Sequence, residues 1–191
     1  MKVSKAQVAE NRERILDAAA RLFRGKGFDG VGIAELMQTA GLTNGAFYGH
    51  FDSKDDLVAQ VCAHLGAARH GPWDALEQED LKAGLNQFSR DYFSATHLKG
   101  RGAGCMLAAL TGDVARQMPP ARRSFTEALK ARVEALAAAM PGPKAGQREQ
   151  ALSTLAALLG TVMLARAVDE PRLAAALLDA TMRDLRLRGR A

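Results

Sequence analysis

Beyond residue 60 the chain is rich in alanine and leucine and poor in β-branched residues, and this composition constrains the fold more than any other feature. Such residues favour helices, and apolar positions recur at helical rather than alternating spacing, so an all-α protein without sheet is expected. The first helix spans about Val8 to Lys26, with Ile15, Ala19, Leu22 and Phe23 on one face, and Gly25 and Gly27 stop it. A second, short helix carries Ile33, Leu36, Met37 and Ala40 and ends at Gly41, which takes the left-handed conformation cheaply. Thr43 is placed to cap a third short helix, Asn44 to His50, with Phe47 and Phe51 inward and Asn44, Ala46, Tyr48 and His50 outward.

Ser53 opens a fourth helix. Asp56, three residues on, completes a capping-box pattern, and Leu57, Val61 and Leu65 form its apolar row, with Gly71-Pro72 ending the segment. The remainder reads as five longer helices, about Asp80 to Ala95, Arg101 to Gln117, Pro120 to Met140, Ala145 to Val168 and Pro171 to Leu187. Pro120 and Pro171 suit first-turn positions, and no helix crosses Pro141-Gly142-Pro143 without losing hydrogen bonds.

The net charge of +5 invites a nucleic-acid reading, but residues 1 to 60 hold eight Lys/Arg against eight Asp/Glu, so bulk charge does not carry it. Local charge does better: seven basic residues between Met1 and Lys26 face only Glu10, Glu13 and Asp17, a leading arm and first helix suited to phosphates. Two isolated cysteines, Cys62 and Cys105, form no disulfide framework and no zinc set, which points to a reducing cytoplasm. Cys62, His64 and His70 lack the spacing of a metal site and read as packing and surface residues. The apolar stretch Ala151 to Ala167 includes Ser153, Thr154, Thr161 and Arg166, and reads as a buried helix rather than a membrane span. No catalytic motif is present: there is no HExxH, nucleophile elbow, Walker loop or dinucleotide glycine pattern. Neither an enzyme nor a cofactor is therefore expected.

A helix, a Gly-containing three-residue turn and a short helix with polar outward positions specify a helix-turn-helix, although ordinary helical hairpins share that outline. The particular residues narrow it. From Arg12 to Leu57 the string RERILDAAARLFRGKGFDGVGIAELMQTAGLTNGAFYGHFDSKDDL resembles the DNA-binding domain of the TetR family, most strongly over Ala40 to Leu57. The fragment Gly104 to Leu110 is also family-like, and the rest resembles the family's variable ligand-binding and dimerisation domain in architecture. The resemblance implies a helix-turn-helix domain over residues 1–53 and an effector-binding and dimerisation domain over 54–191. It implies that Thr43, Asn44 and Ala46 meet base edges or the adjacent backbone, that Gly45 keeps the approach close, and that Tyr48, His50 and Lys54 bind phosphates. Asn suits an adenine edge, methyl groups suit thymine, and a phenol, imidazole and ammonium suit backbone oxygens. Where many relatives start the second helix with Thr, this chain has Gly32, and the phosphate contact of that hydroxyl is not expected.

The implied function is a ligand-responsive repressor that leaves a palindromic operator when a small-molecule effector binds. The alternative is a helical small-molecule-binding protein without DNA activity. Phe88, Tyr92, Met106 and Phe125 are the effector-site candidates, with His97 weaker, although aromatic and Met residues at helical spacing are usually core. Cys105, next to Gly104 at a helix start, is a candidate redox-sensitive thiol, with burial as the competing reading. The helix Ala151 to Ala167 is apolar on more than one face, which calls for a partner copy. Leu152, Leu155, Leu159, Gly160, Val162 and Met163 on that helix, with Leu173, Leu177 and Leu178 on the last one, are the expected homodimer interface.

Overall fold

A computed structural model of the chain describes residues 4–67, 81–100, 102 and 104–188. His70, Gly71-Pro72 and Trp73 lie outside the described residues, as do the first residues of the helices expected from Asp80 and Arg101. All regular structure among the described residues is helical. The elements are α1 (Lys5–Lys26), α2 (Ile33–Thr39), a 3₁₀ helix (Asn44–Gly49), α3 (Lys54–Ala67), α4 (Leu81–Tyr92), α5 (Ala95–Lys99), α6 (Met106–Val114), α7 (Pro119–Ala138), α8 (Lys144–Ala167) and α9 (Pro171–Arg188). The described residues divide into two compact units, 4–67 with 109–128, and 81–108 with 129–188.

In the first unit, α1 begins a turn earlier than its apolar pattern indicates, because the Ser4 side chain accepts from the Gln7 amide at 3.2 Å and caps it. Ile15, Leu16, Ala19 and Phe23 of α1 are buried, and Phe23 meets Phe28 edge to face, with ring centroids 5.2 Å apart. The chain leaves α1 at Gly27 with φ 75 and leaves α2 at Gly41 with φ 70, two backbone conformations that favour glycine. At the second of these, the Leu42 amide reaches back to the Met37 carbonyl at 2.9 Å, closing α2 in the manner of a Schellman turn. Leu36, Met37, Phe47, Phe51, Leu57 and Val61 complete this core. Burying each such side chain stabilises the unit by about 1.5–3 kcal/mol.

In the second unit, α8 packs along α9 and turns Ala151, Leu155, Leu158 and Val162 inward. The Thr161 and Thr181 hydroxyls bond to each other at 2.7 Å across the pair. Arg166 donates to the carbonyls of His97 at 2.7 Å and Leu98 at 3.1 Å, joining α8 to α5. The break at Pro141-Gly142-Pro143 falls between α7 and α8, where the Gln147 side chain donates to the Met140 carbonyl at 2.8 Å. One expected helix boundary fails for a clear reason. The helix expected to continue to Ala95 ends at Tyr92, because Ser94 accepts from the His97 amide at 3.2 Å and opens the short α5. The next helix, expected from Arg101, is α6, which begins only at Met106. By length and composition α8 could also cross a membrane, but its buried face lies against its own chain.

Candidate nucleic-acid interface

The turn after Gly41 delivers the chain to the 3₁₀ helix, in which Phe47 is fully buried and Tyr48, the next residue, is 70% exposed. Phe47 packs on Phe51 at 5.6 Å and edge-on to Tyr48 at 5.2 Å, so the inner ring anchors the helix while the phenol projects outward. Thr43, Asn44, Gly45 and Gly49 are exposed, and Ala46, His50 and Lys54 are half-buried. The structure thus brings the seven residues expected to meet DNA onto one short segment. Its expected cap differs. Thr43 occupies the N-cap position with extended backbone, but its side chain makes no capping bond, and the tighter 3₁₀ turns begin instead with the Ala46 amide on the Thr43 carbonyl at 3.0 Å. The hydroxyl stays available to an outside partner. Gly32 stands at the N-cap of α2 without a side-chain cap, as a residue lacking a hydroxyl must.

The capping pattern at α3 is formed with its return bond shifted by one residue, to the amide before the cap. The Asp56 amide donates to Ser53 Oγ at 3.0 Å, and the Asp56 carboxylate returns to the Asp52 amide at 3.2 Å. Three residues around it, Arg12, Gln60 and Arg14, were not legible as contacts that hold the segment. Arg12 of α1 donates to the His50 carbonyl at 2.6 Å and to Gln60 Oε1, and its guanidinium lies 4.7 Å from the centre of the Phe51 ring. Gln60 passes the contact on, its amide nitrogen donating to both Asp56 oxygens at 2.8 and 2.9 Å. Arg14 donates to the Ala40 carbonyl at 2.6 Å, at the end of α2. A signal for Arg12 existed: it continues the buried row Ile15, Ala19 and Phe23, where a charge requires a partner.

The other expected sites fall elsewhere. Phe88 and Tyr92 are fully buried in the second unit with rings 5.4 Å apart, and Met106 is buried at the start of α6. Phe125 is half-buried and belongs to the first unit. Burial and the adjacent Cys105 push the Tyr92 phenol well above its ordinary value. His97 is buried, with Nδ1 2.6 Å from the Tyr92 carbonyl and Nε2 accepting from the Cys105 amide at 3.0 Å, so both ring nitrogens are used within the chain. Burial lowers its proton affinity. Cys105 is half-buried, while Cys62 is fully buried and its thiol is pushed up to about 11. His64 lies 2.9 Å from Asp17, tying α3 to α1.

The expected interface divides in two. Leu155 and Val162, 2% and 0% exposed, face the interior of their own chain and are corrected to core positions, since helical spacing alone could not separate the two apolar faces of α8. Leu152, Met163 and Leu173 are exposed, and Leu159, Gly160, Leu177 and Leu178 are partly so.

Comparison with known proteins agrees with this geometry. Residues 15–61 match the family described as bacterial regulatory proteins, tetR family. The chain is 40% identical over 58 residues to the HTH-type transcriptional regulator AcrR of Shigella flexneri, covering 30% of this chain and 27% of that one. It is 39% identical over 103 residues to the HTH-type transcriptional repressor BepR of Brucella suis biovar 1, covering 48% and 49% respectively. The match thus spans less than half the length of these curated relatives. Over most of the chain the fold resembles the reduced form of E. coli NemR, with a TM-score of 0.76 at 21% identity over 92% of this chain and 94% of that one. A TetR-family transcriptional regulator from Agrobacterium tumefaciens gives a TM-score of 0.74 at 17% identity, over 93% and 98%. The two curated relatives and the Agrobacterium tumefaciens protein are named as transcriptional regulators.

Proposed function

We propose, from the premise that residues 15–61 are a tetR-family DNA-binding domain, that the chain is a homodimeric cytoplasmic repressor released from a palindromic operator by a small-molecule effector. The observation that carries this reading is the 3₁₀ helix, whose inner ring is buried while its neighbouring phenol stands 70% exposed beside Gly49. An aromatic residue held outward on so short an anchored element suits a partner that takes a hydroxyl and excludes water. Thr43, Asn44 and Ala46 read base edges in the major groove, Gly45 permits the close approach, and Tyr48, His50 and Lys54 hold phosphates.

The dimer forms through the outer stripe of α8 and α9, where Leu152, Leu159 and Met163 line up around Gly160 and face Leu173, Leu177 and Leu178 of the partner copy. Pairing the helices with their symmetry mates gives a four-helix bundle. Phe88, Tyr92 and Met106, all in the second unit, lie near the effector site in this reading, and Cys105 has a packing role beside Tyr92. The effector shifts the population of dimers away from the spacing that lets both recognition helices dock in successive grooves. DNA then opposes the effector by the same factor as the effector opposes DNA.

The test is selection of bound duplexes from a random pool at stated salt. Enrichment of an inverted repeat with half-sites about 34–36 Å apart, or a multiple of that spacing, is expected. Asn44→Ala should relax preference at one position of that repeat, at a cost of about 1–3 kcal/mol. Failure to enrich any sequence would sink the repressor reading and favour a small-molecule-binding protein without DNA activity.

A further inference from the structure

We propose that Arg12 is a positioning residue for DNA recognition, which clamps the C-terminal end of the recognition helix to α1 and α3 so that Tyr48, His50 and Lys54 are presented as one rigid set. The inference rests on the operator-binding reading above and goes beyond it, because it assigns the charge of Arg12, one of the basic residues of the first helix, to contacts within the protein rather than to a phosphate.

Three contacts converge on this one guanidinium. It donates to the His50 carbonyl at 2.6 Å, at the C-cap of the 3₁₀ helix, where a positive charge also suits the negative end of the helix. It donates to Gln60 Oε1 on α3 and lies over the Phe51 ring at 4.7 Å, a ring that is only 2% exposed. Gln60 has one orientation that serves both neighbours, carbonyl toward the guanidinium and amino group toward the Asp56 carboxylate, at 2.8 and 2.9 Å. Asp56 in turn accepts from the Asp52 amide at 3.2 Å and donates its own amide to Ser53 Oγ at 3.0 Å. A single relay therefore runs from α1 through Gln60 to the residues just before Lys54, while a direct bond fixes His50. Both ends of the segment from 50 to 54 are held from the same side chain.

The guanidinium is suited to this task and an ammonium is not. It is planar, so one face covers Phe51 while its edge supplies divergent N–H groups to two acceptors on different elements. Those N–H groups point at protein acceptors, which distinguishes Arg12 from a residue that neutralises a phosphate. Losing charged hydrogen bonds of this kind leaves the 3₁₀ helix free to tilt about Phe47, and the three phosphate ligands then pay for their alignment on binding.

The experiment measures DNA binding and local exchange on the full-length protein. With the duplex enriched by wild type, Arg12→Ala should bind about tenfold more weakly or worse, with the dependence on salt unchanged. Arg12→Lys should fail to restore binding although it restores the charge. Hydrogen exchange at the His50 and Phe51 amides, which donate to the Phe47 carbonyl at 2.9 and 3.0 Å, should accelerate in both variants while amides of α8 keep their rates. Gln60→Met, which removes the relay but leaves the bond to His50, should lose less, and its effect should not add to that of Arg12→Ala. A direct phosphate role predicts a different pattern, rescue by lysine and a salt slope lowered by about one unit in Arg12→Ala, and that result would overturn the proposal. So would wild-type affinity in both Arg12 variants. If wild type selects no DNA, operator recognition falls as a reading, and the exchange rates then decide on the clamp alone: acceleration at His50 and Phe51 upholds it and unchanged rates refute it.

Discussion

Gly66 lies near the end of α3, where the helix passes so close to α7 that a methyl group at this position would sit 2.7 Å from the Ala128 Cβ and 3.3 Å from its Cα. Carbon atoms rest about 3.5–4.0 Å apart, so Gly66→Ala requires the two helices to part by roughly 1 Å. The obstacle is a methyl fixed to a backbone and 5% exposed, not the end of a flexible side chain. Two effects compete. Alanine in a helix interior is favoured over glycine by about 1 kcal/mol, whereas overpacking of this kind costs about 1–3 kcal/mol. Because the obstacle cannot swing aside, the upper part of that range applies, leaving a net destabilisation of about 1–2 kcal/mol. For a chain of this length the midpoint of thermal unfolding then falls by about 3–6 °C. Adding Ala128→Gly moves the methyl from one helix to the other at nearly balanced propensity, so the double variant should melt close to wild type. Circular dichroism of the wild type, both single variants and the double variant at one protein concentration checks this. A Gly66→Ala protein at least as stable as wild type would refute the steric argument, as would a double variant less stable than Gly66→Ala.

Lys54→Ala should weaken binding to all DNA sequences alike and lower the salt slope by about one unit, whereas Tyr48→Phe should weaken it alike with the slope intact; filter binding across a salt series separates them. Leu159→Glu places a charge in the outer stripe of α8 and should yield monomers or unfolded chains in sedimentation at micromolar protein; an intact dimer would move the interface elsewhere. Burial lowers the proton affinity of His97, so the unfolded chain binds more protons than the folded one in the acid range. The stability His97 contributes is complete above about pH 6.5 and is lost as pH falls below it. Urea unfolding should therefore show a smaller loss between pH 7 and pH 5 in His97→Gln than in wild type, and equal losses in the two would reject this origin.

The helices were legible wherever apolar residues kept a single helical row, as Ile15, Ala19 and Phe23 do in α1. Glycine and proline told where they stop, and Gly41 takes the positive φ expected of it. Ser4 was missed because the turn it caps has no buried residue, and α5 was missed because a five-residue helix cannot display a period. The exposed residues of the recognition helix were readable because Phe47 and Phe51 fix which side faces inward. Leu155 and Val162 were misassigned because the apolar residues of α8 lie on more than one face, and spacing alone does not say which face packs within the chain. The contacts of Arg12 were beyond reach for a different reason. His50, Gln60 and Phe51 are 38 to 48 residues away along the chain, and only the packed helices bring them to one guanidinium.

Of the six residues in the 3₁₀ helix only Phe47 is buried, so the element gives the core a single one of its own side chains. On the proposed reading, exchange of Asn44 or Ala46 alters what the helix can read while removing nothing from the core. A new operator preference can thus arise by substitution in this segment without a compensating change elsewhere, because the surface that chooses the sequence is almost separate, residue by residue, from the surface that keeps the domain folded. The converse holds at Phe47. No substitution there can tune preference without loosening every contact on the segment at once, which makes it the one position of the six where drift in specificity and loss of function coincide.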